Sequence, residues 1–350
     1  MKALYLPGPS YYSPQVKEQA GWWGILELQR QAIEIAGFEV LTPEINTDFV
    51  DNSSSFAKTA SSSLLGAIHL VKGKFDLVVG APSYSHHAVF MGVVPSITYV
   101  WNNADWYRDM MLIPEYKAIG EAYRTQPINN VMNELSLNLC NHVIACSDFV
   151  KHTHARVVPP EKISVARWSV DWEKFRPGEK NKRFTVLFIG GDPVRKGLVY
   201  LVKAFAALAN PNMDLWVMGC RVDDYPQVRS FGMVPYAEMP GLIRKCHVLV
   251  LPTLEDGIGV CVQEAMASGV VPIATEDPSE DFEHGASGFR VPYRDWESIR
   301  DYLQQLYADQ ELLAKMAEAA VLKAKSRHWN DFRSEFAAAI SRAYEKARPG

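Results

Sequence analysis

Two short stretches of this chain carry residue types able to handle a charged ligand. In residues 251–269, LPTLEDGIGVCVQEAMASG, Asp256 and Glu264 bracket a Gly257-Ile258-Gly259 turn. In residues 190–197, GGDPVRKG, Arg195 and Lys196 follow the pair Gly190 and Gly191. Ionised carboxylates accept hydrogen bonds from hydroxyl groups. A lysine, an arginine and the backbone N–H groups of glycine loops and helix starts stabilise phosphate. The plainer alternatives are an ordinary strand-to-helix turn with solvated carboxylates and a solvated lysine at a helix start.

These stretches need elements to hold them. The apolar run 248–251 reads as a buried parallel strand that stops at Pro252, and 261–268 as a helix closed by Gly269. Ligands of open α/β sheets bind where strands end and helices begin. The rest of the second half alternates in the same way. Strands are expected at 185–189, 215–218 and 271–274, with helices at 198–208, 239–245, 296–307, 310–325 and 329–347.

The first half also alternates. Strands are expected at 2–6, 38–41, 75–80, 96–100, 142–146 and 162–166. Helices are expected at 25–36 and 64–71, with 52–63 a loop or helix start, and another opens at 83–87. Further helices in 107–140 break near Pro127, and Ser147 is an N-cap. His86 and His87, adjacent at a helix start, are ligand candidates, although histidines more often serve structure. The pattern predicts an α/β protein of two Rossmann-like domains facing a central cleft. The first spans 1–169 and the second 184–329. A linker of 170–183 joins them.

Composition narrows the class. The 350 residues are 48% hydrophobic and 22% charged, with net charge −4. Neither half is strongly basic, so a phosphate-tracking nucleic-acid surface is not indicated. The five cysteines (140, 146, 220, 246, 261) are scattered without a CxxC pair, which fits reduced thiols. The opening MKALYLPGPS reads as a strand rather than a signal peptide, and no apolar run reaches the roughly 20 residues of a membrane span. The chain is expected to be cytoplasmic. The aromatic-rich loops with Tyr11, Tyr12, Trp22, Trp23, Trp101 and Trp106 leave room for peripheral membrane contact. The sequon at Asn52 is read as chance, since no secretion signal accompanies it.

The second half resembles the nucleotide-binding domain of glycosyltransferase family 4, retaining enzymes of the GT-B fold. The resemblance rests on five pieces in order. They are Val170-Asp171 with Phe175-Arg176-Pro177, Phe188-Ile189-Gly190 through Lys196-Gly197, Phe231-Gly232-Met233-Val234-Pro235, Asp256 through Gly269 with Pro272-Ile273, and 285–292. More weakly, Gly21 falls on the family's N-terminal glycine loop. The resemblance implies sugar transfer from a nucleoside diphosphate sugar, with retention, and a last helix, 330–350, that crosses back to the first domain. It places Glu264 on the ribose hydroxyls, Asp256 near the donor sugar and Val234-Pro235 against the base. Lys196 with Arg195 supplies positive charge to the departing phosphate, and backbone dipoles come from Gly190-Gly191 and the turn 257–260 (Gly257, Ile258, Gly259, Val260). No DxD metal motif occurs, so neither metal nor separate cofactor is expected beyond a UDP- or GDP-sugar substrate. The acceptor is open: a saccharide, a lipid-linked saccharide, a small molecule or another polymer.

The chain departs from the family pattern at several points. Asp256 stands where the family carries Glu, Gly190 and Gly191 where it often carries Arg, and Trp101 where many members have a sugar-contacting His. Trp101, Asn102, His86, His87 and Trp22 are therefore the candidate sugar or acceptor contacts. Two rival functions remain: a nucleotide-sugar epimerase or hydrolase of the same fold, and a catalytically silent sugar-nucleotide binder.

Overall fold

The structure is a computed structural model. It describes residues 1–7, 22–43, 55–123, 127–222, 227–275 and 282–347, with the side chains of residues 22, 23 and 55–60 also outside the described set. Two parallel six-stranded sheets form the framework of the described residues. The first runs in the order β2-β1-β3-β4-β5-β6: β1 (Lys2–Leu6), β2 (Glu39–Leu41), β3 (Leu77–Gly80), β4 (Ser96–Val100), β5 (His142–Ala145) and β6 (Ile163–Val165). The second runs β12-β11-β10-β7-β8-β9: β7 (Phe184–Ile189), β8 (Met213–Met218), β9 (Val228–Gly232), β10 (Val248–Leu251), β11 (Val271–Thr275) and β12 (Phe289–Val291). This is the α/β architecture that the alternation predicts.

Burial on both faces explains why the central strands read as continuous apolar runs. Successive side chains point to opposite faces. Along β10, Val248 and Val250 enter one core layer and Leu249 and Leu251 the other. Along β7, Val186 and Phe188 share the first layer, and Leu187 lies in the second. Helices Leu198–Leu208 and Trp296–Ala308 cover one face, and Val260–Ala267 covers the other.

Three elements differ from expectation. No strand is expected over 228–232, but β9 takes these residues (VRSFG) onto the sheet edge, where its side chains are at most partly buried. Edge strands lack the two-sided burial that makes an apolar run, so the pattern hides them. The three-residue β12 ends the other edge and is hidden for the same reason. Helix Ser55–Lys72 starts well before Leu64. Its serines are weak helix formers, but Ser62 and Ser63 are buried. Ser63 Oγ also accepts the His87 backbone N–H at 3.0 Å, so packing overrides propensity.

Contacts divide the chain into two units. The first comprises residues 1–105, 124–167 and 330–350; the second comprises 106–123 and 168–329. In the first, the last helix, Trp329–Ala347, lays Phe332 against Trp101 and Phe336 against Tyr99, with ring centroids 5.8 and 6.2 Å apart. In the second, Lys180 inserts its ammonium between the Cys246 and Gly269 carbonyls, at 2.7 Å from each, and burial lowers its pKa to about 8. The segment 168–183 is thereby fastened to the second unit.

Candidate donor site

The second sheet reverses direction beside β7. The chain passes from β7 to β8 and β9 on one side, then returns to lay β10 on the other. Loops leaving β7 and β10 therefore meet at a topological switch point, where α/β sheets bind ligands. Those loops are 190–197 and 252–259, the two stretches that the chemistry singled out.

Their contact is close enough to demand glycine. Gly197 has φ of +68°, and a Cβ there would lie 2.0 Å from the Pro252 carbonyl oxygen. A Cβ on Gly190 would meet the Lys196 side chain at 2.8 Å. Gly197→Ala is expected to cost about 3 kcal/mol or more through left-handed strain and displaced backbone. A melting-temperature comparison would show it, and an unchanged melt would refute the packing described.

The loops are clipped by hydrogen bonds. The Arg195 carbonyl accepts from the Leu254 N–H at 2.8 Å and from Thr253 Oγ1 at 3.1 Å. The Arg195 guanidinium donates to the Glu255 carbonyl at 2.9 Å, and it stands 3.5 Å from the Glu255 carboxylate and 3.7 Å from Asp256. Lys196 Nζ is ion-paired with Asp256 Oδ2, and both side chains are largely buried. The Asp192 carboxylate turns the loop by accepting the Arg195 backbone N–H at 3.0 Å. Arg195, Lys196 and Asp256 are thus brought together, along with Glu255, whose carboxyl pKa is raised by burial against the pull of Arg195.

Helix Val260–Ala267 begins directly after the glycine turn, with Gly259 at its N-cap and the Val262 N–H returning to the Gly259 carbonyl at 2.7 Å. Glu264 is buried in it. Tyr236 donates its hydroxyl to Glu264 Oε1 at 3.0 Å, and the Lys174 ammonium sits 3.8 Å from the centre of the Tyr236 ring. Burial lifts the Glu264 pKa to about 7, opposed by the Tyr236 bond and the Lys174 charge. The half-buried Cys261 thiol in the first turn of this helix is pushed up to about 12, chiefly by burial. Val234 is buried in the core and Pro235 is exposed. Tyr236→Phe removes a bond that holds the Glu264 pKa down. The pH midpoint of nucleotide binding is then expected to move upward, measurable by calorimetry across pH; an unmoved midpoint would mean that Glu264 is not the titrating group.

Sequence reasoning missed Tyr236 and gave Lys174 no role. It also missed a contribution from residues 106–123. In the second unit, Glu115 accepts from Tyr200 Oη at 2.7 Å and from Arg294 Nε at 2.5 Å. Tyr107 and Tyr293 share a hydroxyl contact of 3.0 Å, and Tyr116 Oη reaches Asp192 of the phosphate-type loop at 3.5 Å. No local signal marks partners so far apart in the chain.

The first-unit candidates have structural partners. His87 Nδ1 lies 2.9 Å from Ser63 Oγ, His86 Nδ1 lies 3.2 Å from the Ser83 carbonyl, and the two rings are 4.3 Å apart. Burial and the neighbouring His87 lower the His86 pKa. Trp101 packs between Tyr99 and Phe332, and Asn102 is exposed, with its carbonyl 3.1 Å from His154 Nε2. Gly21 and the Trp22 side chain lie outside the described residues. Among the described residues, no group of three or more His, Cys, Asp or Glu side chains is placed to hold a metal ion, and no helix is long and apolar enough to cross a membrane.

Two parallel Rossmann-like units of this kind define the GT-B architecture. Sucrose-phosphate synthase from Thermosynechococcus elongatus superposes with a TM-score of 0.75 at 14% identity, over 98% of both chains. Anabaena HepE, solved with UDP and glucose, gives 0.66 at 17% identity, over 97% of this chain and 99% of its own. At such identities the likeness is one of fold. Residues 170–323 match the family model described as glycosyl transferases group 1. The D-inositol 3-phosphate glycosyltransferase of Corynebacterium glutamicum is 26% identical over 223 residues, which is 54% of this chain and 52% of that protein. That of Pseudarthrobacter chlorophenolicus is 26% identical over 202 residues, 49% of this chain and 48% of its own. The chain spans about half the length of the curated relatives it matches.

Proposed function

We propose that this protein transfers a sugar from a nucleoside diphosphate sugar, with UDP as the carrier, to an acceptor hydroxyl. The observation that carries the reading is the cation pair Arg195 and Lys196, held against Glu255 and Asp256 where β7 and β10 end. In the reaction the bond from the anomeric carbon to the diphosphate breaks, and its electron pair leaves with the diphosphate. The acceptor oxygen takes its place and gives up its proton to an oxygen of the departing diphosphate. Negative charge grows on the departing phosphate, and Lys196 and Arg195 lie where they can meet it without a metal. The incoming diphosphate draws Lys196 from Asp256, and the freed carboxylate accepts a hydroxyl of the sugar. Glu264 accepts the ribose hydroxyls. UDP is favoured because HepE has been solved with UDP-glucose and a TarM structure contains UDP. Retention follows the family resemblance, and a reducing cytoplasm suits the five free thiols.

A donor panel with product analysis tests this reading. UDP-sugars are expected to raise the melting temperature, since ligand at 100 times its dissociation constant adds about 2.7 kcal/mol, and a suitable acceptor should gain the sugar. Free or epimerised sugar as the sole product would replace transfer with hydrolysis or epimerisation. Nucleotide binding with no product from any acceptor would make the protein a silent binder.

A further inference from the structure

Three helices of the first unit lie side by side: Ser55–Lys72, Pro82–Met91 and Pro127–Leu139. Ser63 Oγ joins the first to His87 of the second, and Ser83 Oγ donates to Asn133 Oδ1 of the third at 2.8 Å. Their outward faces are unusually apolar. On the third helix, Ile128, Val131, Leu135 and Leu139 are 67%, 57%, 46% and 60% exposed at spacings that put them on one stripe. On the first, Leu64, Ile68 and Val71 form a second exposed stripe. The three helices contain only Lys58, Lys72 and Glu134 as charged residues, in a chain that is 22% charged. Single exposed apolar residues need no explanation, but contiguous rows of them in a charge-poor surface mark an interface.

Topology makes the patch continuous. The helices lead directly into β3, β4 and β5, which are neighbours in the sheet. Val71, Met91, Val93 and Leu139 therefore line one rim, at the edge where these strands begin. Ligands of α/β sheets bind at the opposite edge, where strands end. A bilayer reached through this rim would lie away from the substrate edge, and two lysines are few for an interfacial membrane helix. An uncharged apolar patch is instead compatible with itself, which a two-fold dimer requires. Ten large apolar residues exposed on the described parts of these helices and in the turn after the second supply the apolar core of an interface that counts 20–30 residues per side.

We propose that two copies of this chain pair through this face, helices 55–72, 82–91 and 127–139 of each meeting their counterparts. The test is sedimentation velocity of the full chain from about 1 to 100 μM, with Val131→Asp/Leu139→Asp and, separately, Val71→Asp. The expected result is a wild-type dimer and at least a 100-fold weaker association in both variants, with unchanged circular dichroism. Leu135→Gln/Leu139→Gln, which adds no charge, should weaken pairing about tenfold and serves if the aspartates disturb folding. A wild type that stays monomeric at the highest concentration, or a dimer indifferent to all these variants, would overturn the proposal. So would monomeric wild type that co-sediments with phosphatidylcholine vesicles and loses that binding in the variants.

Discussion

Lys196→Ala is expected to lower the turnover number for sugar transfer by about 10²- to 10³-fold, the usual effect of deleting one stabiliser of developing charge. The protein should still fold, because Arg195 remains 3.7 Å from Asp256 and keeps that carboxylate from being left unpaired. The reciprocal substitution separates two roles. In the ligand-free protein Lys196 is neutralised by Asp256, so a diphosphate must displace one charge to reach the other. Asp256→Asn removes the competitor. UDP should then bind about tenfold more tightly, a gain of about 1.4 kcal/mol, while sugar transfer is lost with the sugar-facing carboxylate. Calorimetry with UDP alongside turnover measures both. Weaker UDP binding in Asp256→Asn would show that Lys196 and Asp256 do not compete, and full turnover in Lys196→Ala would remove the proposed leaving-group stabilisation.

What made this pair legible was local chemistry. Lys196 lies just behind two glycines after an apolar run, and Asp256 follows another such run, so strand ends and charge could be read together. Direct contact between them was beyond reading, because it depends on β10 lying beside β7, a pairing of strands some sixty positions apart. Glu264 was legible as a carboxylate in a helix start, but its burial comes from the helix layer packed around it, and that burial raises its pKa against the opposing Tyr236 hydrogen bond. The histidines 86 and 87 stood out by chemical type, but their neighbours could not be read from the sequence. His87 ties its helix to the neighbouring one through Ser63, and His86 contacts the Ser83 carbonyl one turn back in its own helix. The strand VRSFG escaped because an edge strand buries too little to impose an apolar pattern.

Glu264→Gln should raise stability and weaken the nucleotide at the same time. In the folded, ligand-free protein the Glu264 pKa is about 7, above its ordinary 4.5. Between those values the unfolded chain has released a proton that the folded chain still holds. Stability therefore falls as pH rises from about 4.5, and the whole penalty is present above about 7. At 1.36 kcal/mol per pKa unit it amounts to about 3 kcal/mol. A glutamine accepts the Tyr236 hydroxyl as the acid does but never ionises. Its variant should match wild type near pH 4.5 and melt roughly 6–12 °C higher at pH 8. It should also bind UDP about 10- to 100-fold more weakly, the worth of charge-assisted hydrogen bonds to the ribose. Wild-type affinity should fall about tenfold per pH unit below 7 as the carboxylate takes its proton. A variant no more stable than wild type at pH 8 would mean that Glu264 ionises freely, and undiminished UDP affinity would move the ribose elsewhere.

The segment 106–123 has a consequence for recombining this chain with its relatives. A crossover placed at the obvious seam, between residues 167 and 168, would graft a foreign partner onto Arg294 and Tyr200, whose acceptor Glu115 lies upstream of the seam. The graft would carry an orphaned guanidinium and a bare phenol at the edge of its nucleotide half. A viable chimera must exchange two separated pieces, the short helix and the long block together, so inheritance of this half is discontinuous along the gene although its contacts are continuous in space.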